Sequence, residues 1–357
     1  MDKQLLSDDD QSQKEMFKLI DYDLHVDEEL GKDTHLRNIH PNSMTTLWPI
    51  HDFVERVIKT NQPGFEIQKK GDRAVGIKPL PLAFYFKSIN RFWRKYQENI
   101  ALYGLVGLFF ECCVEVGLVG DHTTRPNQLH SLGKIEAEVF NDLLELMRTK
   151  AKSRKYRQLM AKLDRNVRRN FKSMMKYIDA LFDEYSKLLV LRIDLGYHHV
   201  QSQPITSARI LGDFQRLLNN RRSNALFADM VGYIRRLEYG SEKSWHLHVI
   251  IFYNGQDAQN ASTLTRLIGE YWRDVITDHD GTYFNCNDSR NEYKYCGIGK
   301  ISHWEAEKRT HLLYALTYLT KKDRIIGFDV PKKCKMMTKG EPPKPRPNKP
   351  GPKRRTS

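Results

Sequence analysis

No two cysteines of this chain are spaced as Cys-x-x-Cys, and only five occur in 357 residues. Cys112 and Cys113 are adjacent in an apolar stretch, while Cys286, Cys296 and Cys334 are spaced unlike zinc ligands. That excludes a zinc module of ordinary spacing and leaves structural thiols in a reducing cytoplasm as the expectation. A secretory leader is also missing from the opening residues, which are charged and acidic around Asp8-Asp9-Asp10. No apolar run reaches membrane length without interruption. Ile100 to Gly120 comes nearest, but Glu111 and Glu115 break it, and a carboxylate at the bilayer centre costs about 2.5–3.5 kcal/mol. A buried or amphipathic helix is expected there, and no membrane partner. Gly297-Ile298-Gly299-Lys300 completes neither the dinucleotide fingerprint nor the phosphate-loop pattern, and no internal repeat is visible.

Negative charge is scarce in two segments. The chain carries a formal +14, yet residues 148–176 contain 12 Lys/Arg against one Asp, and residues 331–357 contain 10 against one Glu. These segments hold +11 and +9, which leaves −6 for everything else. Basic charge concentrated in this way suits a polyanion held at defined places, whereas a generic solvated surface intersperses the signs. The residues expected to contact nucleic acid are Arg154, Lys155, Arg157, Arg165, Arg168 and Arg169, with Arg235 and Arg236 further along.

The chain divides by composition and periodicity. Residues 1–42 read as an acidic flexible N-terminus. Residues 43–184 read as a mainly helical region containing the basic helix 148–176, interrupted near Pro63-Gly64, Pro79-Leu80-Pro81 and Gly120–Pro126. An apolar stripe through Leu159, Leu163, Val167, Phe171, Met175 and Ile178 runs beneath the basic face. From 185 to 330 strands and helices alternate. Residues 331–357 hold seven prolines and read as a basic, disordered tail unable to form a core.

The densest chemistry lies in Trp245-His246-Leu247-His248-Val249-Ile250-Ile251-Phe252. Alternate residues of a strand share a face, so His246 and His248 stand side by side, with Leu247, Val249 and Ile251 opposite. Two neutral imidazoles held this way can chelate a divalent ion. Just upstream, Tyr233 to Tyr239 reads as a strand, and Gly240 to Ser244 as a hairpin loop. An odd-numbered loop puts Glu238 on the histidine face, completing a three-ligand set for Mg²⁺ or Mn²⁺ with positions open to substrate oxygens. The residues alone also allow Glu238 to be a strand carboxylate paired with Arg235 or Arg236. Asp194, in the expected central strand Leu188 to Leu195, is the secondary candidate for the acidic ligand.

About sixty residues later, Ser302-His303-Trp304-Glu305 has the form of a capping box and predicts a helix start. Leu312, Leu316 and Leu319 fall on one face of that helix; Tyr314, Tyr318, Lys321 and Lys322 fall roughly opposite. A phenol has a pKa of about 10 and is a weak nucleophile at neutral pH. Neighbouring cations and a polarised target phosphate are what activate it.

Taken in order, the His–apolar–His strand, the hairpin glutamate and the tyrosine helix resemble the HUH endonucleases, over residues from about 185 to 327. Tyr318-Leu319-Thr320-Lys321 resembles the single-tyrosine motif of the YagK/YfjJ C-terminal family, also called inovirus-type replication proteins. Tyr314 departs from that pattern and makes the segment resemble the two-tyrosine motif of bacteriophage initiators. The resemblance implies an α+β protein: a helical N-terminal region, then an HUH nuclease domain with a central antiparallel sheet flanked by helices. It implies a replication initiator of a phage, prophage or plasmid that nicks and rejoins single-stranded origin DNA. His246, His248 and Glu238 would hold the metal. Tyr318 would be the nucleophile and Tyr314 the candidate for a second strand transfer, supported by Lys321 and Lys322. A host replication helicase or polymerase is a further expected partner. A non-catalytic DNA-binding regulator on the same fold and a mobilisation relaxase are the alternatives.

Overall fold

The computed structural model describes residues 47–344, apart from short stretches at 72, 95–99, 121–124, 199–204, 241–243, 258–259, 289, 291–294, 322–323, 325 and 329–333. The acidic segment 1–42, Lys322 and the last thirteen residues of the basic tail lie outside the described residues.

The first part of the chain is built on α1 (Leu47–Ile58), the hairpin β1 (Phe65–Lys70) and β2 (Arg73–Pro79), a 3₁₀ turn at Pro81–Ser88, α2 (Ile89–Trp93), β3 (Ile100–Leu102), α3 (Gly104–Glu115) and α4 (Glu136–Lys152). The hairpin departs from the mainly helical expectation. Phe65 and Ile67 alternate with polar neighbours, as a half-buried strand requires, and Gly71 turns the chain at φ +63°. The apolar run that includes Phe109, Phe110, Cys112 and Cys113 is α3, packed into one core with α1 and α4. Among the described residues no helix is long and apolar enough to cross a membrane. Arg148, counted among the basic residues of the sequence, is buried here: its guanidinium donates to the carbonyls of Val57, Thr60 and Gln62 at the end of α1.

The second part follows as α5 (Arg154–Glu184), β4 (Lys187–Tyr197), α6 (Ser207–Asn220), β5 (Met230–Gly240), β6 (Ser244–Asn254), α7 (Ala261–Tyr271) with a π-helical turn at Trp272–Ile276, β7 (Gly281–Asn285), β8 (Gly299–Ser302), α8 (Ala306–Lys321), β9 (Ile326–Phe328) and β10 (Met337–Lys339). The main sheet runs β10-β5-β6-β4-β7, with β8 also paired to β4, and its pairings are antiparallel. The protein is thus an α+β molecule of mixed helix and antiparallel sheet.

Strand parity separates two cores. Leu189, Leu191, Ile193, Leu247, Val249 and Ile251 face α6 and α7. Leu188, Val190, Ile234, Ile250 and Phe252 face α5 and α8. The C-terminal half of the basic helix α5 is therefore part of the sheet's own packing, because its apolar stripe (Phe171, Met174, Tyr177, Ile178, Leu181, Phe182) covers this face. Two observations reach past the expected boundaries. The packing of this sheet extends back before residue 185, into α5. And the segment 331–357 is not uniformly tail: Met337–Lys339 pairs with Arg236–Ile234 as the sheet's edge strand, because that edge offers backbone donors and acceptors that need partners.

Candidate metal centre

The hairpin β5–β6 sets Glu238 opposite His246 and Arg236 opposite His248. On the other side of β6, β4 sets Asp194 opposite His248. Five polar side chains thus occupy one end of the face whose other end is the apolar layer under α5 and α8. Glu238, His246 and His248 are all buried, each about 3% exposed, and one ligand atom from each lies within 4.8 Å of the others. Among the described residues this is the group of His, Cys, Asp and Glu side chains able to hold a metal ion.

The hydrogen bonds around the imidazoles decide which nitrogens face the centre. His248 Nδ1 lies 2.7 Å from Asp194 Oδ1, and His246 Nδ1 lies 3.1 Å from the Ser244 carbonyl oxygen. Carboxylate and carbonyl oxygens only accept, so each Nδ1 carries its proton and each Nε2 is the atom that could hold an ion. A histidine whose second nitrogen donates to a carboxylate or carbonyl is the ordinary arrangement of a metal ligand. Asp194, the secondary candidate for a ligand, instead orients one. The two rings are nearly perpendicular, at 84° with centroids 5.1 Å apart.

Glu238 is held from both sides. Arg236 Nε donates to Oε1 at 2.7 Å, and His248 Nε2 lies 3.2 Å from Oε2. Arg236 is only 1% exposed. This corrects the assignment of Arg235 and Arg236 to nucleic-acid contact. Arg236 points into the sheet face and neutralises a buried carboxylate. Arg235 is also buried and donates to the Lys335 carbonyl oxygen, under the returning edge strand. The pairing of Glu238 with an arginine and its position beside the histidines, which the sequence presents as alternatives, hold together.

Burial pushes the His248 imidazole down, but the carboxylates of Asp194 and Glu238 outweigh it and raise its pKa from 6.5 to about 9. At neutral pH the metal-free ring is therefore protonated, donating to Asp194 and to Glu238, and a proton stands where an ion would bind. The folded pKa lies above the unfolded one, so this network stabilises the fold fully below pH 6.5 and ceases to do so as pH rises through about 9. An ion must displace that proton, so metal affinity should increase over the same range. NMR titration of the metal-free protein should place the His248 midpoint near 9; a midpoint at or below 6.5 would contradict the geometry.

The tyrosine helix is α8, on the same face of the sheet, with Leu312, Leu313, Leu316 and Leu319 in one core cluster with Ile250 and Phe252. Its start differs slightly from the capping-box expectation. Ser302 ends β8, and Glu305 Oε2 accepts from the Ser302 backbone N–H at 2.7 Å, so the first helical residue is Ala306. Tyr314 is 39% exposed and stacks on Tyr295, with centroids 4.9 Å apart and planes at 26°. The side chains of Tyr318 and Lys321 lie outside the described residues, as does Lys322. Arg154, Lys155, Arg157, Arg165, Arg168 and Arg169 all sit exposed on α5.

The sequence reading placed Arg236 among the nucleic-acid contacts and Asp194 as the secondary acidic ligand; the structure buries Arg236 against Glu238 and sets Asp194 at His248 Nδ1. Strand parity carried the information needed for both, since even-numbered positions of β4, β5 and β6 share one face. What it lacked was strand order, which puts β6 between the other two.

No curated protein and no solved structure matches this chain. Residues 149–332, which run from the end of α4 through the sheet, the metal centre and α8, match the YagK/YfjJ C-terminal domain. The matched segment is more than half of the 357 residues, and the chain belongs to the YagK/YfjJ C-terminal domain family.

Proposed function

We propose that this protein is an HUH-type endonuclease and strand transferase that nicks and rejoins single-stranded origin DNA during rolling-circle replication of a phage, prophage or plasmid. One observation carries the reading: a buried Glu238–His246–His248 group shares a sheet face with the helix that bears Tyr314 and Tyr318. The donor set fits a divalent ion such as Mg²⁺ or Mn²⁺, with two imidazole nitrogens already oriented and one carboxylate already paired with Arg236. When bound, such an ion would neutralise charge on the non-bridging oxygens of the scissile phosphate.

The chain's own residues supply the rest. Asp194 and the Ser244 carbonyl hold the imidazoles in the ligating tautomer. Tyr318 is the nucleophile in this reading. Its phenolic oxygen forms a bond to phosphorus as the bond from phosphorus to the 3′ oxygen breaks. The phenol gives up its proton and the departing 3′ oxygen gains one. The product is a 5′-phosphotyrosine link and a free 3′-hydroxyl able to prime synthesis. Lys321 and Lys322 support the developing charge. Because the phosphodiester is exchanged rather than hydrolysed, the reverse step reseals DNA without a nucleotide cofactor.

A second reading is a DNA-binding regulator on the same fold without catalysis. The closed network favours it, since both Glu238 oxygens are already engaged, one by Arg236 and one by His248. Incubating the full chain with single-stranded DNA from its own genetic neighbourhood, with and without Mn²⁺, separates the two. A covalent protein–DNA adduct that requires the metal is the expected result. Metal-independent binding with no adduct on any strand of that neighbourhood favours the regulator.

A further inference from the structure

Helix α5 has two unlike sides. Val167, Phe171, Met174, Ile178 and Leu181 are buried beneath it, whereas Arg157, Lys162, Arg165, Arg169, Lys172 and Lys176 are exposed on the other side, with Arg154, Lys155 and Arg168 beside them. From Lys162 to Lys176 these cations recur every three or four residues, about 5 Å of helix rise, and Arg154 to Lys176 span about 33 Å. Among the described residues none of the nine forms an ion pair. Arg169 only donates to Asn166. The carboxylates nearest in sequence are turned to other partners: Asp164 to Arg324 at 2.7 Å and Asp179 to Arg309 at 2.9 Å.

Those two ion pairs also fix how α5 lies against the tyrosine helix. Arg309 meets Asp179 at the beginning of α8, and Arg324 meets Asp164 just beyond its end. The helices are therefore antiparallel. As position numbers rise along α8 they fall at the same rate along α5, which brings position 318 level with position 170. Arg168, Arg169 and Lys172 are grouped around that level.

We propose that the exposed side of α5 is a phosphate-binding ridge that carries a nucleic-acid strand alongside the C-terminal half of α8. A regular row of unpaired cations matches a regularly repeating polyanion. A lipid surface fits less well. An interfacial helix needs an apolar face to insert, and that of α5 is already spent on the sheet. The ridge extends the nicking reading by naming where the strand lies, but it needs no catalysis and can be tested apart from it.

The test uses the full chain and labelled oligonucleotides, single-stranded and duplex, titrated by fluorescence anisotropy at several salt concentrations. The variant carries Arg165→Gln, Arg168→Gln, Arg169→Gln and Lys172→Gln. All four side chains are exposed, so thermal unfolding should be unchanged. Each lost phosphate contact flattens the slope of log K against log salt by about 0.7 for a single strand. The fourfold variant should therefore lose about 3 from the slope, and at least about tenfold in affinity at low salt. Replacing the three arginines by lysine instead should preserve most of the slope. The unvaried chain held in excess chelator, which blocks metal-dependent nicking, should bind with the same slope, so failure of nicking and failure of the ridge are distinguishable. The larger loss, on single strand or on duplex, names the form the ridge serves. An unchanged slope on both probes overturns the proposal. So does a variant that keeps its nucleic-acid affinity while losing adhesion to anionic-lipid vesicles.

Discussion

A chain carrying His246→Ala and His248→Ala should form no metal-dependent DNA adduct. Two of the three proposed ligands are gone, and the several kcal/mol of charge stabilisation a bound ion would offer correspond to a loss of about three orders of magnitude in rate or more. The same change also touches stability, because His248 sits between two carboxylates, and removing one member of a buried ionic group costs about 3–5 kcal/mol. His246→Gln and His248→Gln keep volume and a polar partner and therefore serve as the second variant. Glu238→Gln should weaken metal affinity more than DNA affinity, since it removes the anionic ligand and leaves Arg236 buried opposite a neutral amide. The measurements are adduct yield against Mn²⁺ concentration and metal affinity by calorimetry. Full cleavage by a folded double variant would remove the centre from the mechanism.

Tyr318→Phe should eliminate the covalent adduct and nearly all nicking, while Tyr314→Phe spares the first cut and at most impairs rejoining. Phenylalanine keeps the ring and removes only the proposed attacking oxygen, so a structural contribution survives the change. Tyr314 lies one turn earlier, about 5–6 Å along the axis, near enough for a strand end to be passed from one to the other. Its ring is stacked on Tyr295, and that contact also survives replacement by phenylalanine. Peptide mapping of the adduct decides between them. An adduct on Tyr314 alone reverses the assignment, and one on Tyr295 places the nucleophile outside α8.

The fold was legible wherever a residue's environment depends on its own strand or helix. Short apolar runs rich in β-branched residues, His246 to Phe252 and Leu188 to Leu195, reveal two strands, and the short loop between Gly240 and Ser244 fixes the register that sets Glu238 opposite His246. The apolar stripe of α5 was equally plain, because a 3.6-residue period needs no knowledge of what it covers. The β1–β2 hairpin was harder. Its strands are short, exposed at many positions and bounded by the same Pro and Gly residues that also interrupt helices. The edge strand Met337–Lys339 is three residues long and lies in a lysine- and proline-rich segment, so composition pointed to a tail while an open sheet edge captured it.

By itself the sequence determined the pair of histidines on one strand face, the glutamate across the hairpin and the basic and apolar sides of α5. All of these follow from periodicity and from the length of one loop. Only the tertiary structure decided what the neighbouring charges do. Asp194 became the partner of His248 Nδ1 because β4 lies beside β6, and Arg236 became the partner of Glu238 because both were drawn into a buried face where neither could stay solvated alone. Linear spacing states which residues share a face. Strand order and burial determine which of them must neutralise one another.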